Sequence, residues 1–171
     1  MSEFSRPYDL RHLPMEPQVL EASAEECAAL AGRFDLVRVD SLTATITLTP
    51  EGAVVRADGR IKAAIVQSCA VSGEDLPVKV DEPVALRFVP PGTAHNPDEE
   101  VELDADELDE IEMEAEGRFD LGEALAQSLA LAIDPFAEGP QAEEARRKAG
   151  LLEPDQTGPF AALAALKKQL D

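Results

Sequence analysis

The stretch LTATITLTPEGAVVRADGRIKAAI, residues 42–65, decides the fold. Residues 42–49 alternate aliphatic side chains with threonines, and residues 55–65 alternate apolar side chains mostly with charged ones. A period of two is typical of a β-strand with one buried face. Pro50-Glu51-Gly52 lies between the two halves and is a turn signal, so the stretch predicts a β-hairpin.

Helices are predicted before and after this hairpin. Ser23 and Glu26 form a capping-box pattern ahead of an apolar stripe that runs from Cys27 to Phe34. Asp120 begins a second helix, which continues to Ile133 and ends before a proline. Both segments therefore predict amphipathic helices that cover a sheet.

Further strands complete the predicted sheet. Residues 76–89 form a strand pair or one strand bent at Pro83, and residues 110–116 alternate apolar side chains with glutamates. The sum predicts an α+β fold: an antiparallel sheet or partial barrel of about four to six strands with flanking helices. Residues 1–136 would form one domain with an extended N-terminal arm, 137–157 a flexible linker, and 158–171 a C-terminal amphipathic helix.

The strongest functional signal is charge. Pro97–Glu116 reads PDEEVELDADELDEIEMEAE, with twelve carboxylates and no lysine or arginine, and the whole chain has a formal charge of -20. Such a surface repels phosphate backbones and attracts cationic partners, although solvation alone is the simpler interpretation of a charge run. The residues assigned to a partner-binding acidic surface are Glu110, Glu112, Glu114 and Glu116.

One group of cations has a competing interpretation. Arg56, Arg60 and Lys62 share one face of the second hairpin strand, because the pleat repeats every two residues. They could contact RNA phosphates, or they could face the glutamates at 110, 112 and 114 and offset their repulsion. We favour the second interpretation, because three cations are a weak nucleic-acid footprint on so acidic a chain.

Catalytic motifs are not found. The two histidines, His12 and His95, lie in no nucleophile motif, and the spacing of Asp104, Asp106 and Asp109 does not match a calcium loop. We therefore predict no catalytic residue, no cofactor and no metal ligand. A signal peptide and a membrane-spanning run are also not found, so a cytoplasmic protein without membrane contact is expected.

The predicted C-terminal helix begins with Pro159 at its first position. It would either dock on its own domain or anchor in a groove of a partner. The residues assigned to partner binding in this helix are Pro159, Phe160, Leu163, Leu166 and Lys167.

Three segments together resemble the YceD-like proteins, which are named for large ribosomal RNA subunit accumulation. They are VQSCAVSGEDLPVKVDEPVALRFVP (66–90), GRFDLGEALAQSLALAIDPF (117–136) and GPFAALAALKKQ (158–169). The last segment is the most specific, because family members typically end in a Pro-Phe-Ala-x-Leu-x-x-Leu-Lys pattern. One departure matters: many members have Cys-x-x-Cys in the first segment, whereas this chain has Cys69 and Ser72. A metal role is therefore not carried over.

The resemblance implies a cytosolic factor for accumulation or processing of large-subunit (23S) rRNA. Together with the charge, it favours a non-enzymatic factor that binds a basic ribosomal protein, or a pre-50S particle, through the acidic surface. The alternative is an RNA-contacting assembly module that uses Arg56, Arg60 and Lys62. A metal-dependent nuclease acting through the carboxylates is a distant third. The oligomeric state is left open.

Overall fold

The structure is a computed structural model, and it describes residues 2–92 and 109–151. The chain divides into two compact units, each of which is described by itself. The first unit comprises Met1–Gln67 and Pro77–Asp134. The second comprises Ser68–Leu76 and the residues from Pro135 onward.

The described residues form strands and α-helices with the following bounds. The strands are β1 (Pro7–Asp9), β2 (Gln18–Glu21), β3 (Arg38–Glu51), β4 (Val54–Ser68), β5 (Asp75–Val89), β6 (Asp109–Glu112) and β7 (Arg118–Asp120). The helices are α1 (Ala24–Arg33), α2 (Leu121–Ala132) and α3 (Ala142–Lys148). Two short 3-10 helices, Leu10–His12 and Ala115–Gly117, complete the elements of the described chain.

Five strands form the main sheet, in the order β2-β3-β4-β5-β6. β2 and β4 pair antiparallel with β3, whereas β6 pairs parallel with β5, with Phe88 opposite Ile111. β1 and β7 form a separate antiparallel pair. The predicted α+β class is confirmed, and the main sheet is mixed because of the β5–β6 pair.

The predicted hairpin is the pair β3–β4, which stays in register from Ser41 opposite Ala64 to Glu51 opposite Val54. Its apolar residues face the core of the first unit and its threonines and charged residues face outward, as the alternation requires. α1 packs against β3. The fully buried core side chains of the hairpin and the helices include Leu42, Ile46, Ile61, Ile65, Leu30, Leu121, Leu125 and Leu129.

Both predicted helix starts are confirmed. The Glu26 amide donates to the Ser23 hydroxyl at 3.2 Å, and the Ser23 amide donates to the Glu26 carboxylate at 2.8 Å, which is a complete capping box. The Glu123 amide donates to the Asp120 carboxylate at 3.1 Å. These bonds satisfy amides that the first helical turn leaves without an intrahelical partner.

The N-terminal arm is part of the core of the first unit. Phe4 is completely buried, and the Arg6 guanidinium lies over its ring at 4.4 Å from the centroid. The Arg6 amide donates to the Asp120 carboxylate at 2.7 Å, and the Arg6 guanidinium forms an ion pair with Glu26 at 2.6 Å. Residues 2–6 therefore fasten the starts of α1 and α2 to each other.

The second unit contains a tight turn and a helix. The Gly73 amide donates to the Cys69 carbonyl at 2.9 Å, and the Ala70 amide donates to the Ala137 carbonyl at 3.0 Å. α3 lies within residues 137–157, which the sequence predicts as a linker. The division at residues 136 and 157 stays a prediction, and the C-terminal helix predicted at 158–171 lies outside the described residues.

Candidate partner-binding surface

The acidic surface begins on β6, the edge strand of the main sheet. Glu110 and Glu112 are exposed, whereas Ile111 is half-buried and Met113 is buried, so the alternation predicted from the sequence holds over these four residues. Glu110 lies opposite Arg87 of β5 and forms an ion pair with it at 3.0 Å. The Gly92 amide donates to the Glu112 carboxylate at 3.2 Å.

Beyond Glu112 the chain turns instead of continuing as a strand. The Glu114 amide donates to the Arg118 carbonyl at 2.7 Å, and the two residues form an isolated bridge. Glu116 and Gly117 both have positive φ, 72° and 79°, which closes this turn tightly. Glu114 and Glu116 therefore lie on a turn, and the single acidic strand face predicted for residues 110–116 is wrong at its C-terminal end.

The turn is held from both sides by buried side chains. Met113 precedes it and is 3% exposed, and Phe119 follows it and is 5% exposed. The Phe119 ring stacks on Phe88 at 4.2 Å between centroids and on Tyr8 at 5.9 Å. Since apolar residues anchor both ends, the glutamates between them stay at the surface.

Few cations offset these carboxylates. Arg87 pairs with Glu110, and Arg118 lies 3.9 Å from Glu116. Among the described residues, the Glu114 carboxylate has no ion-pair partner. The acidic surface therefore keeps a net negative charge, with exposed side chains available to a partner.

The basic residues on β4 have counter-charges of their own. Arg56 lies 2.7 Å from Asp58 and 3.6 Å from Glu51, and Arg60 lies 2.5 Å from Asp81. The Lys62 ammonium lies 3.9 Å from the same Asp81 carboxylate. Three carboxylates thus offset three cations, and these partners replace the glutamates at 110, 112 and 114, which the sequence interpretation had expected.

Cys69 is a polar centre that the sequence did not reveal. It is buried, and its sulfur accepts backbone N–H bonds from Gly139 at 3.2 Å and Ser72 at 3.4 Å. Hydrogen bonds to the sulfur lower the pKa of the thiol to about 6, against the opposing effect of burial. The Gly139 amide contributes most, and smaller contributions come from the hydroxyl and amide of Ser72 and from the amide of Val71. These donors favour the thiolate.

This lowered pKa predicts a pH-dependent stability. The ordinary pKa of the thiol is 9.0, so between about pH 6 and pH 9 the unfolded chain keeps a proton that the native protein has released. The free energy of unfolding should therefore rise with pH across this range. The stability that Cys69 contributes should be lost as the pH falls toward 6. Urea unfolding at a series of pH values should show a smaller rise for Cys69→Ala than for the wild type.

The matched control is Cys27→Ala. Burial, with help from the Glu26 carboxylate, raises the pKa of the Cys27 thiol, so this group stays protonated in both states over the same pH range. Its removal should leave the slope of stability against pH unchanged. An identical slope in the wild type and both variants would contradict the role given to the bonds around Cys69.

The structure does not reach several of the predicted residues. Pro159, Phe160, Leu163, Leu166, Lys167 and His95 all lie outside the described residues. His12 is exposed at the end of a 3-10 helix. Within residues 2–92 and 109–151, no three His, Cys, Asp or Glu side chains come together so that they could hold a metal ion. Cys69 and Ser72 do not form the Cys-x-x-Cys pattern described in the sequence analysis.

Comparison with known proteins gives one match. A family model described as large ribosomal RNA subunit accumulation protein YceD matches residues 57–167, which is more than half of the chain. The chain belongs to the YceD family. This confirms the resemblance inferred from the three sequence segments. Searches among curated proteins and among solved structures found no match.

Membership of the YceD family implies a role in the accumulation of large-subunit rRNA. The matched residues include β5, β6, the turn that carries Glu114 and Glu116, and α2. They also include Cys69 and Ser72. In the part of the chain that the structure describes, no helix is long and apolar enough to span a membrane.

Proposed function

We propose that this YceD-family protein is a non-enzymatic, cytoplasmic ribosome-biogenesis factor. It would support accumulation or processing of 23S rRNA by binding a basic ribosomal protein, free or within a pre-50S particle, through the acidic surface. The predicted C-terminal helix would supply an additional apolar anchor for the same partner.

The proposal rests on one observation: the acidic surface is built into folded structure. Glu110 and Glu112 project from a paired strand, and Glu114 and Glu116 lie on a turn held by Met113 and Phe119. A charge run that served only solvation would not need this fixed arrangement. Glutamates on an ordered backbone lose less conformational entropy when they bind a cation than glutamates on a flexible chain do.

The energetics require several contacts at once. Each exposed ion pair contributes only about 0–1 kcal/mol, so no single glutamate would hold a partner. Several pairs together, in the field of a chain with formal charge -20, attract a cationic protein at long range. Because these charges are exposed, binding should weaken as salt shortens the Debye length to about 8 Å near physiological ionic strength.

The rival partner is RNA, contacted through Arg56, Arg60 and Lys62. Direct binding to phosphates needs cations that can neutralise them. On β4 these cations already share Asp58, Asp81 and Glu51. A phosphate backbone would have to displace those carboxylates from the cations, and the like charges of phosphate and carboxylate would repel each other. This favours the protein partner over RNA.

The combined variant Glu110→Gln, Glu112→Gln, Glu114→Gln tests the proposal. Three lost ion pairs of about 0.5 kcal/mol each should weaken capture of basic large-subunit proteins roughly tenfold. The measurement is affinity capture of the tagged protein at low and moderate salt, with and without RNase. Retention after RNase and loss with added salt are the expected results for the wild type.

The matched control is Glu16→Gln, Glu21→Gln, Glu143→Gln, which changes the net charge equally at exposed positions elsewhere. It should retain most of the capture. Equal yields from the wild type and the first variant would reject the acidic surface. Capture of precursor rRNA, with proteins that disappear after RNase and after Arg60→Glu, would instead identify the RNA-contacting module.

A further inference from the structure

The backbone of β6 has a regular orientation at the edge of the main sheet. β6 is the last strand in the order β2-β3-β4-β5-β6. The Met113 amide donates to the Val89 carbonyl at 2.8 Å, and Glu112 lies opposite Val89. In a parallel pair, alternate residues direct both of their backbone groups toward the neighbouring strand. The backbone groups of Ile111 therefore face β5, and those of Glu110 and Glu112 face away from it.

These outward backbone groups are available to a further strand. Within residues 2–92 and 109–151, no hydrogen bond is made to the amide or the carbonyl of Glu110 or Glu112 on this side. Such an edge can pair with an added strand, which supplies a donor or an acceptor to each group. The two glutamate side chains leave the plane of the sheet and are exposed, so they flank the edge without blocking it.

The opposite edge of the sheet, on β2, is less suited to a basic strand. The Ala22 amide donates to the Leu42 carbonyl at 3.0 Å, so Val19 and Glu21 direct their backbone groups outward. The Arg6 guanidinium donates to the Glu21 carbonyl at 2.9 Å. One outward group of β2 is therefore already bonded, and the charge beside it repels a cationic segment.

Charge distinguishes between the possible occupants of the β6 edge. A second copy of the chain that paired through its own β6 would bring glutamates close to glutamates, and like charges on adjacent strands are destabilising. Lysines or arginines on an added strand would instead lie beside Glu110 and Glu112. Glu110 already shares Arg87, whereas Glu112 has no ion-pair partner among the described residues. The edge is therefore complementary to a cationic strand.

We infer that β6 pairs with an extended, Lys/Arg-rich segment of the partner, which adds one strand to the main sheet. Backbone hydrogen bonds to Glu110 and Glu112 hold the segment, and its cationic side chains lie beside the two carboxylates. The inference rests on the proposed function, because it describes how the same basic partner is bound. Since backbone pairing requires an extended chain, the edge selects an extended basic segment over a helical one of equal charge.

Amide hydrogen exchange of the full-length protein, followed by NMR, tests the inference. In the free protein the Glu110 and Glu112 amides should exchange rapidly, whereas the Met113 amide, which is bonded to Val89, should exchange slowly. The probe is a peptide of alternating lysine and threonine, since threonine favours an extended chain. At saturation the peptide should slow exchange at Glu110 and Glu112 by about tenfold or more. The Val19 amide on β2 is the internal control and should be unaffected.

Two methylated peptides separate backbone pairing from charge attraction. A peptide with the same side chains and an N-methyl group on every backbone nitrogen has no backbone donor and both edges blocked. The wild-type protein should bind it roughly tenfold more weakly than the unmethylated peptide. A peptide that is methylated at alternate residues keeps one edge able to pair, and it should bind as tightly as the unmethylated peptide.

A pair of variants tests the same contact from the side of the protein. Glu110→Pro removes an outward amide, and proline is compatible with an edge strand when the lost N–H faces away from the sheet. Glu110→Gln removes the same charge and keeps the amide, so it is the matched control. Glu110→Pro should weaken binding of the unmethylated peptide roughly fivefold more than Glu110→Gln does.

Each contrary outcome has its own meaning. Equal affinities for the unmethylated and the fully methylated peptide overturn the inference, and the proposed function survives if the triple glutamate variant weakens binding of both. Slow exchange at Glu110 and Glu112 in the free protein also overturns the inference, because the chain itself or a second copy then covers the edge. Unchanged exchange at these amides with peptide bound overturns it as well. A wild-type protein that binds none of the three peptides overturns the proposed function together with the inference.

Discussion

Phe4→Ala should lower the free energy of unfolding by about 3–5 kcal/mol, the usual cost of truncating a fully buried phenylalanine. Phe4 is 0% exposed, and the chain leads from it directly to the amide of Arg6, which bonds Asp120 at the start of α2. The loss combines the apolar area removed from the core with the cavity left behind. It is a large share of the roughly 5–15 kcal/mol that stabilises a typical domain.

Urea unfolding followed by circular dichroism measures this effect. Met15→Ala is the control, because Met15 is 97% exposed in the same N-terminal region and its loss should change stability by less than about 0.5 kcal/mol. Similar unfolding midpoints for the wild type and Phe4→Ala would mean that the arm is dispensable for the core.

Local signals allowed the hairpin and both long helices to be predicted. The alternation of residues 42–49 and 55–65 reappears as β3 and β4, and the Ser23–Glu26 box reappears at the start of α1. Each of these features is encoded within a few residues of chain: a period, a turn or a cap. No long-range contact competed with these local signals.

The arm could not be predicted, because its partners are distant in sequence. Phe4 is flanked by Ser2, Glu3, Ser5 and Arg6, so no alternation of apolar and polar residues marks it as part of a buried strand. Its burial depends on the Asp120 carboxylate, which accepts from Arg6 more than a hundred residues earlier in the chain. The parallel pairing of β6 with β5 is likewise a long-range choice, and no alternation pattern distinguishes a parallel neighbour from an antiparallel one.

The candidate surface was predictable in composition but not in shape. The sequence identified the glutamates at 110 to 116, yet it could not show that positive φ at Glu116 turns the chain away from the strand. It identified the cations of β4, yet not that two of them, Arg60 and Lys62, pair with the same carboxylate, Asp81 of the neighbouring strand.

Gly59→Ala should destabilise the protein by about 3 kcal/mol, through overpacking that no side-chain rotation can relieve. Gly59 of β4 lies opposite Ile46 of β3. A Cβ atom at this position would stand 2.0 Å from the carbonyl oxygen of Thr45 and 2.9 Å from the Cα of Ile46. Both atoms belong to the backbone, so the central strand pair of the sheet would have to separate. A glycine within a strand marks such a close approach.

Gly32→Ala is the matched control, and it should change stability in the opposite direction. Gly32 lies in α1, it is exposed, and no atom outside its own helix lies within 4 Å of an added Cβ. Alanine there should stabilise the protein by about 0.5–1 kcal/mol, because it reduces the entropy of the unfolded chain. Thermal unfolding of the two variants compares the same chemical change at two sites. Equal shifts would mean that β3 and β4 have room for a methyl group at Gly59, and the sheet that supports the acidic surface would then tolerate more variation than its geometry allows.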